Sequence, residues 1–373
     1  MRVAGSGRAT IAAVLATLAS LVLAASGGDA VPVRVDPRVE LLTLVFRLIG
    51  AGEYDQPASK SPYSREVELW FGPARDHEVF RLARQVRKEH GISFDAVPSL
   101  AVHLTAPPEL ALRLPLEPWP ERLDERWKLT DLEGFLKALR SFAEQTAFLE
   151  FLEAFQESHR AAETSLAAAV ENARVVPWLR EFFGLDPGTS YVAVPGLLCG
   201  PGNYGVSVRL SDGSLELWPV IGAGVWDADG HPVYDRGQVG TVVHEFTHAF
   251  ANPVVDANWT ALAPAFEAIF PSVKDVMSRQ AYGTPKTVAY ESLVRACVVR
   301  HAARQIGAEA AARQQAYEIG RGFAWTGELA ALLEQYEKQR ETYPTLRDFG
   351  PKLAEFFEGL AKRYASPTVP AQH

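Results

Sequence analysis

Val242-Val243-His244-Glu245-Phe246-Thr247-His248-Ala249-Phe250 sets two histidines four residues apart, with a glutamate directly after the first. On a helix, positions i and i+4 share a face, so both imidazoles can reach one metal ion. Glu245 then points toward the side left open for a water. Val242, Val243, Phe246, Ala249 and Phe250 are apolar, so the helix is expected to be buried. Two histidines and a carboxylate on a buried helix are costly unless they are paired or bind metal. The stretch therefore predicts a zinc site in preference to two core histidines beside a chance glutamate.

Outward from this helix the pattern sorts into three regions. Asn252-Pro253 predicts its end, because the residue before proline disfavours helix. Beyond it the chain reads as helical to about Tyr364, followed by a proline-containing tail. Upstream, between Gly188 and Tyr234, the period changes to short β-branched or alternating runs at Ser190 to Pro195, Tyr204 to Leu210 and Ser214 to Ile221. Ser211-Asp212-Gly213 is a hairpin turn joining the last two. Further upstream, Val39 to Ile49, Asp76 to Glu89 and Asp131 to Val175 carry helical spacing, the last as one or two long helices. The expected fold class is α+β: mostly helical, with a small antiparallel sheet packed against a two-helix HExxH zinc site. The expected divisions are 1–30 signal peptide, 31–185 helical N-terminal region, 186–306 zincin-like catalytic core, and 307–373 C-terminal helical region and tail.

Catalytic zinc takes three protein ligands and leaves a position for water. His244 and His248 supply two, and two glutamates compete for the third place. Glu267 follows His248 by a familiar interval, but Pro264 and Pro271 bracket it and leave an expected helix of barely two turns. Glu291 lies in Tyr290-Glu291-Ser292-Leu293-Val294-Arg295-Ala296-Cys297, a proline-free apolar helix where a lone carboxylate needs a strong partner. Arg295 at i+4 could be that partner in a plain ion pair. Ligation by Glu291 with Arg295 bracing it accounts for the same residues better, and Glu291 is preferred. Glu245 is the expected general base. An oxyanion usually receives a tyrosine or histidine hydrogen bond in such sites; Tyr282, Tyr290 and His301 are available, with Tyr282 preferred. Asp227-Ala228-Asp229-Gly230 lacks the acidic ligand that a calcium loop needs at its end and reads as a turn.

The stretch from His244 to Pro253, with Gln280-Ala281-Tyr282-Gly283 and Glu291 to Ala296, resembles a scarcely characterised family of exported bacterial proteins known only as a domain of unknown function. That family is taken for a glutamate-ligand zincin, or gluzincin. The resemblance covers about residues 186 to 305 and implies zinc ligands His244, His248 and Glu291 with catalytic Glu245. Arg295 departs from the wider gluzincin pattern, in which many members carry an aspartate at that place. The family implies no substrate.

Composition narrows the remaining possibilities. Arg2 and Arg8 precede an uncharged apolar stretch from Ile11 to Ala25, and small residues follow, which reads as a secretory signal peptide. About fifteen apolar residues are short for a span of about twenty, and no later segment is long and apolar enough, so no stable membrane span is expected after cleavage. The expected location is secreted or periplasmic. The formal charge of -8 includes no basic block, so nucleic acid is not an expected partner. Cys199 and Cys297 are the only cysteines; export permits a disulfide between them, and two are too few for a cysteine-rich metal site. The expected function is zinc-dependent hydrolysis of a peptide or protein substrate, held in extended form along an edge strand at Gly205 to Leu210 or Leu215 to Leu217. One rival is a non-catalytic, zinc-stabilised helical interaction protein of the cell envelope, which has no use for Glu245. Another is hydrolysis of a non-peptide amide such as a cell-wall crosslink.

Overall fold

Asp36 opens the first helix: its carboxylate accepts the Arg38 amide at 2.9 Å, and proline follows at the first helical position, where a missing N–H is harmless. The computed structural model describes residues 31–56, 60–184 and 188–365; the expected signal peptide, the division at 185/186 and the end of the tail lie outside these residues. Helix α1 (Pro37–Leu48) is followed by α2 (Pro62–Phe71), α3 (Glu78–His90) and α4 (Ala96–Val102). Gly91, at φ +67°, caps α3 in the left-handed region that suits glycine. The long stretch after Asp131 divides more finely than expected, into α5 (Leu132–Gln145), α6 (Phe148–Ala154), α7 (Gln156–Ala173) and α8 (Val175–Phe183). Ala147 (φ 51°) and Arg174 (φ 46°) make two of the breaks. Alanine favours helix, so composition gives no warning of the first. The ring of Phe71, 4.9 Å from Phe151 and 6.3 Å from Phe148, packs against the helix that follows it.

The sheet is mixed, which corrects the antiparallel expectation. Strands β1 (Thr189–Tyr191) and β2 (Val194–Gly196) both run parallel to β4 (Leu215–Gly222), and only β3 (Tyr204–Arg209) pairs with it antiparallel. The run from Ser190 to Pro195 is not one strand. It is interrupted at Ala193, which exchanges backbone hydrogen bonds with Pro32 and Arg34. Because β3 and β4 form the hairpin through Gly213, the two earlier strands take the other side of β4 and run parallel. β4 is thus central and buried along its whole length, so Leu215 to Leu217 cannot serve as an edge. Leu217 accepts from the Val192 amide, so by alternation Pro219 turns its donorless nitrogen toward the gap between β1 and β2. A proline is tolerated there inside a central strand.

The second half is a helical stack: α9 (Val239–Ala257), α10 (Trp259–Ser278), α11 (Pro285–Gln305), α12 (Ala308–Gly320), α13 (Thr326–Lys338) and α14 (Gly350–Ala365). Two expectations about proline are corrected here. Pro253 does not end α9, and α10 runs for 20 residues through Pro264 and Pro271. Both prolines of α10 are exposed, and the carbonyls they leave without a helical donor belong to Thr260 and Glu267 on exposed turns, where water can serve them. Meanwhile Leu262, Ala265, Phe266 and Ile269 bury the opposite side of α10. Helix α11 is capped by Thr284, which accepts from Thr287 at 3.1 Å, and is buried nearly all round, so it forms the centre of the stack. It packs against α9, α10, α12 and α13, while the other side of α9 meets β3 and β4. No helix among the described residues is long and apolar enough to cross a membrane.

One buried group on α1 makes stability depend on pH. Glu40 accepts from the Tyr63 hydroxyl at 3.1 Å, and that hydroxyl lies 3.0 Å from His159 Nε2. Burial pushes the Glu40 carboxyl up to about 8 from an ordinary 4.5, so the fold keeps a proton that the unfolded chain releases. The stability this contributes is full below about pH 4.5, falls as pH rises, and is gone above about 8. The buried His159 is held down to about 4 and acts only below about pH 6.5. Between pH 6.5 and 9, wild type should therefore lose about 2 kcal/mol relative to Glu40→Gln. Chemical denaturation of both proteins across that range measures it, and parallel curves would remove Glu40 as the cause.

Candidate metal centre

Helix α9 presents His244 and His248 from successive turns, and their Nε2 atoms stand 3.1 Å apart. Glu291 on α11 reaches between them, with Oε2 3.5 Å from His244 Nε2 and Oε1 3.4 Å from His248 Nε2. Two imidazoles and a carboxylate from two packed helices thus come together as a group that could hold a metal ion. Burial, then the neighbouring His248 and the Arg295 and Arg321 charges, hold His244 well below its ordinary pKa. It is therefore neutral and able to donate a lone pair to a cation.

Two of the three donors, His248 and Glu291, are braced by a further contact. His248 Nδ1 lies 3.2 Å from Asn252 Oδ1, one turn further along α9. Arg295 donates to Glu291 Oε2 at 2.9 Å and to the Tyr282 hydroxyl at 2.9 Å, and it also bonds Glu318. Its guanidinium lies over the Phe323 ring, 4.5 Å from the centroid. Burial works against the Arg295 charge, yet Glu291, Tyr282 and Glu318 together raise its pKa. Gln314 donates to the other oxygen of Glu318 at 2.6 Å, so α12 anchors α11 from behind. From sequence Asn252 reads only as part of a helix stop, and Gln314 and Glu318, both beyond residue 306, carry no expected role. Their helical spacing, Asn252 four after His248 and Glu318 four after Gln314, is the one local sign they carry.

The other sequence candidates fall in different places. Glu245 sits on α9 between the two histidines and is 8 % exposed; burial, then the Glu291 charge, push its carboxyl well above the ordinary range. Tyr282 touches Arg295 and so stands one contact from the triad, its phenol pushed up by burial and by Glu291. Tyr290 turns instead to Asp256, 2.5 Å from its hydroxyl, and His301 to the Ala173 carbonyl at 2.6 Å and the edge of Trp178. Glu267 is exposed on α10 and is not part of the triad. Cys199 and Cys297 are both free and buried. Asp227 closes a turn by accepting the amides of Asp229 and His231.

Strand β3 meets α9 at Gly205. A Cβ there would stand 2.5 Å from the Glu245 carbonyl oxygen and 3.1 Å from His248 Cβ, so only glycine permits this approach. Gly205→Ala should push β3 off the HExxH helix and lower stability by about 1–3 kcal/mol, read as a drop in Tm. An unchanged Tm would mean that the strand is free to shift.

A His-His-Glu triad of two half-buried histidines and a buried glutamate, with a further glutamate between the histidines, defines a site able to bind a metal ion. The chain matches the family described as "Domain of unknown function (DUF4932)" over residues 31–356 and belongs to it. No curated protein and no solved structure gives a match.

Proposed function

We propose that this protein is a zinc-dependent hydrolase of the gluzincin kind that cleaves peptide bonds. The observation that carries the reading is the convergence of His244, His248 and Glu291 with Glu245 on the turn between the histidines. Tetrahedral ligands held at about 2.0–2.1 Å from zinc stand about 3.3 Å apart. Here the two histidine nitrogens are 3.1 Å apart and the two Glu291 oxygens face one each, Oε2 at 3.5 Å from His244 and Oε1 at 3.4 Å from His248, and two imidazoles with a carboxylate suit zinc.

When bound, zinc polarises the substrate carbonyl and makes water a nucleophile near neutral pH. Glu245 takes the proton of the attacking water and delivers it to the leaving amine. Arg295 donates to the Tyr282 oxygen, which leaves the tyrosine O–H to donate to the oxyanion. The substrate lies extended along β3, whose register pairs one side with β4 and whose Gly205 adjoins the metal-site helix.

The purified protein should carry about one zinc, and His244→Ala should lose it. Zinc-loaded wild type should cleave members of an unbiased peptide library, and a chelator should stop it. Failure to take up zinc overturns the reading. Zinc uptake without cleavage of any peptide would favour the stapled, non-catalytic envelope protein.

A further inference from the structure

Arg321, at the end of α12, is an arginine near the metal centre whose charge the centre does not consume. Arg295 is answered by Glu291 and Glu318. Arg321 instead donates from Nε to Gln280 Oε1 at 2.7 Å and from Nη1 to the Tyr317 hydroxyl at 3.0 Å, both neutral acceptors. No carboxylate among the described residues pairs with it. Gln280 is held in turn by the Val276 carbonyl at 3.2 Å and the Arg321 carbonyl at 2.8 Å, so the guanidinium plane is fixed from both sides. Arginine has five N–H donors. Two are used here, and the remainder suffice for a two-pronged grasp of a carboxylate.

The position ties it to the chemistry. Gln280 precedes Tyr282 by two residues and Arg321 precedes Phe323 by two, and these rings stand 6.1 Å apart beside Arg295. After burial and the nearer groups, the Arg321 charge is felt at both His244 and Tyr282. A half-buried, oriented cation with no carboxylate partner among the described residues, close to the braces of the triad, suits a negatively charged ligand group.

We propose that Arg321 binds a carboxylate of the substrate, so that the site takes peptides bearing a free C-terminus or an acidic side chain close to the scissile bond. Arg321 is on this view a specificity-determining residue, and the inference rests on the hydrolase reading above.

The test is binding. Zinc-loaded protein is titrated with the monohydroxamates of succinic, glutaric and adipic acids, and with the same compounds carrying an amide in place of the carboxylate. At least one acid should bind wild type about tenfold or more tightly than its amide. Arg321→Gln should bring that preference to within about twofold, while Arg321→Lys keeps part of it. Equal binding of acids and amides to wild type, or an undiminished preference in Arg321→Gln, overturns this inference and leaves the metal site standing. Failure to bind zinc overturns both. In the peptide digestion, cleavage abolished by C-terminal amidation assigns the carboxylate to the chain end. Cleavage confined to bonds beside Asp or Glu assigns it to a side chain, and indifference to both contradicts the proposal.

Discussion

Glu245→Gln is expected to keep about one zinc per chain and to lower hydrolysis by about 10²–10⁴-fold. The amide fills the same space and leaves His244, His248 and Glu291 untouched, but it cannot accept the proton of an attacking water. Stability should not fall. Burial already pushes the Glu245 carboxyl well above its ordinary range, and a neutral side chain in that place avoids the desolvation of a charge. Metal content, Tm and kcat/KM on a peptide that wild type cleaves are the three measurements. Retained activity would remove Glu245 from the reaction. Loss of activity together with the zinc would mean that it supports the ligands instead.

Local chemistry was legible in the sequence, and pairing between distant segments was not. The two histidines and Glu245 were readable because a helix fixes i and i+4 on one face, whatever surrounds it. Glu291 is readable because a lone carboxylate in an apolar, proline-free helix needs a partner, and the structure gives it Arg295 on one side and turns its oxygens toward both imidazoles on the other. The two prolines are not what excludes Glu267. Its helix is a full 20 residues long, and what keeps Glu267 from the site is its exposed face. The sequence marks Asn252 only as the residue before a helix-stopping proline, whereas α9 continues and the Asn252 carboxamide meets His248. The parallel pairing of β1 and β2 with β4 depends on which side of a hairpin an earlier segment lands, and no periodicity encodes that. Glu318, 23 residues from Arg295, lies beyond the reach of any spacing rule.

Arg295→Ala is expected to weaken zinc binding by about 10–100-fold and to lower the stability of the metal-free protein by about 3–5 kcal/mol. Both effects follow from one arrangement. Arg295 is buried, and it separates Glu291 from Glu318 while donating to each. Without it, two buried carboxylates lose their counter-charge, and Glu291 loses the donor that aims it at the histidines. Zinc replaces part of that counter-charge at Glu291, so the loss of Tm should be smaller with zinc than with chelator. The double variant Arg295→Ala with Glu318→Gln separates the two roles. Removing the second carboxylate should restore part of the stability, because one uncompensated charge disappears. It should not restore zinc affinity, because nothing then orients Glu291. Recovery of both would reduce Arg295 to one half of an ion pair. An equal loss of Tm with zinc and with chelator, at unchanged zinc affinity, would detach Arg295 from the metal altogether and weaken Glu291 as the third ligand.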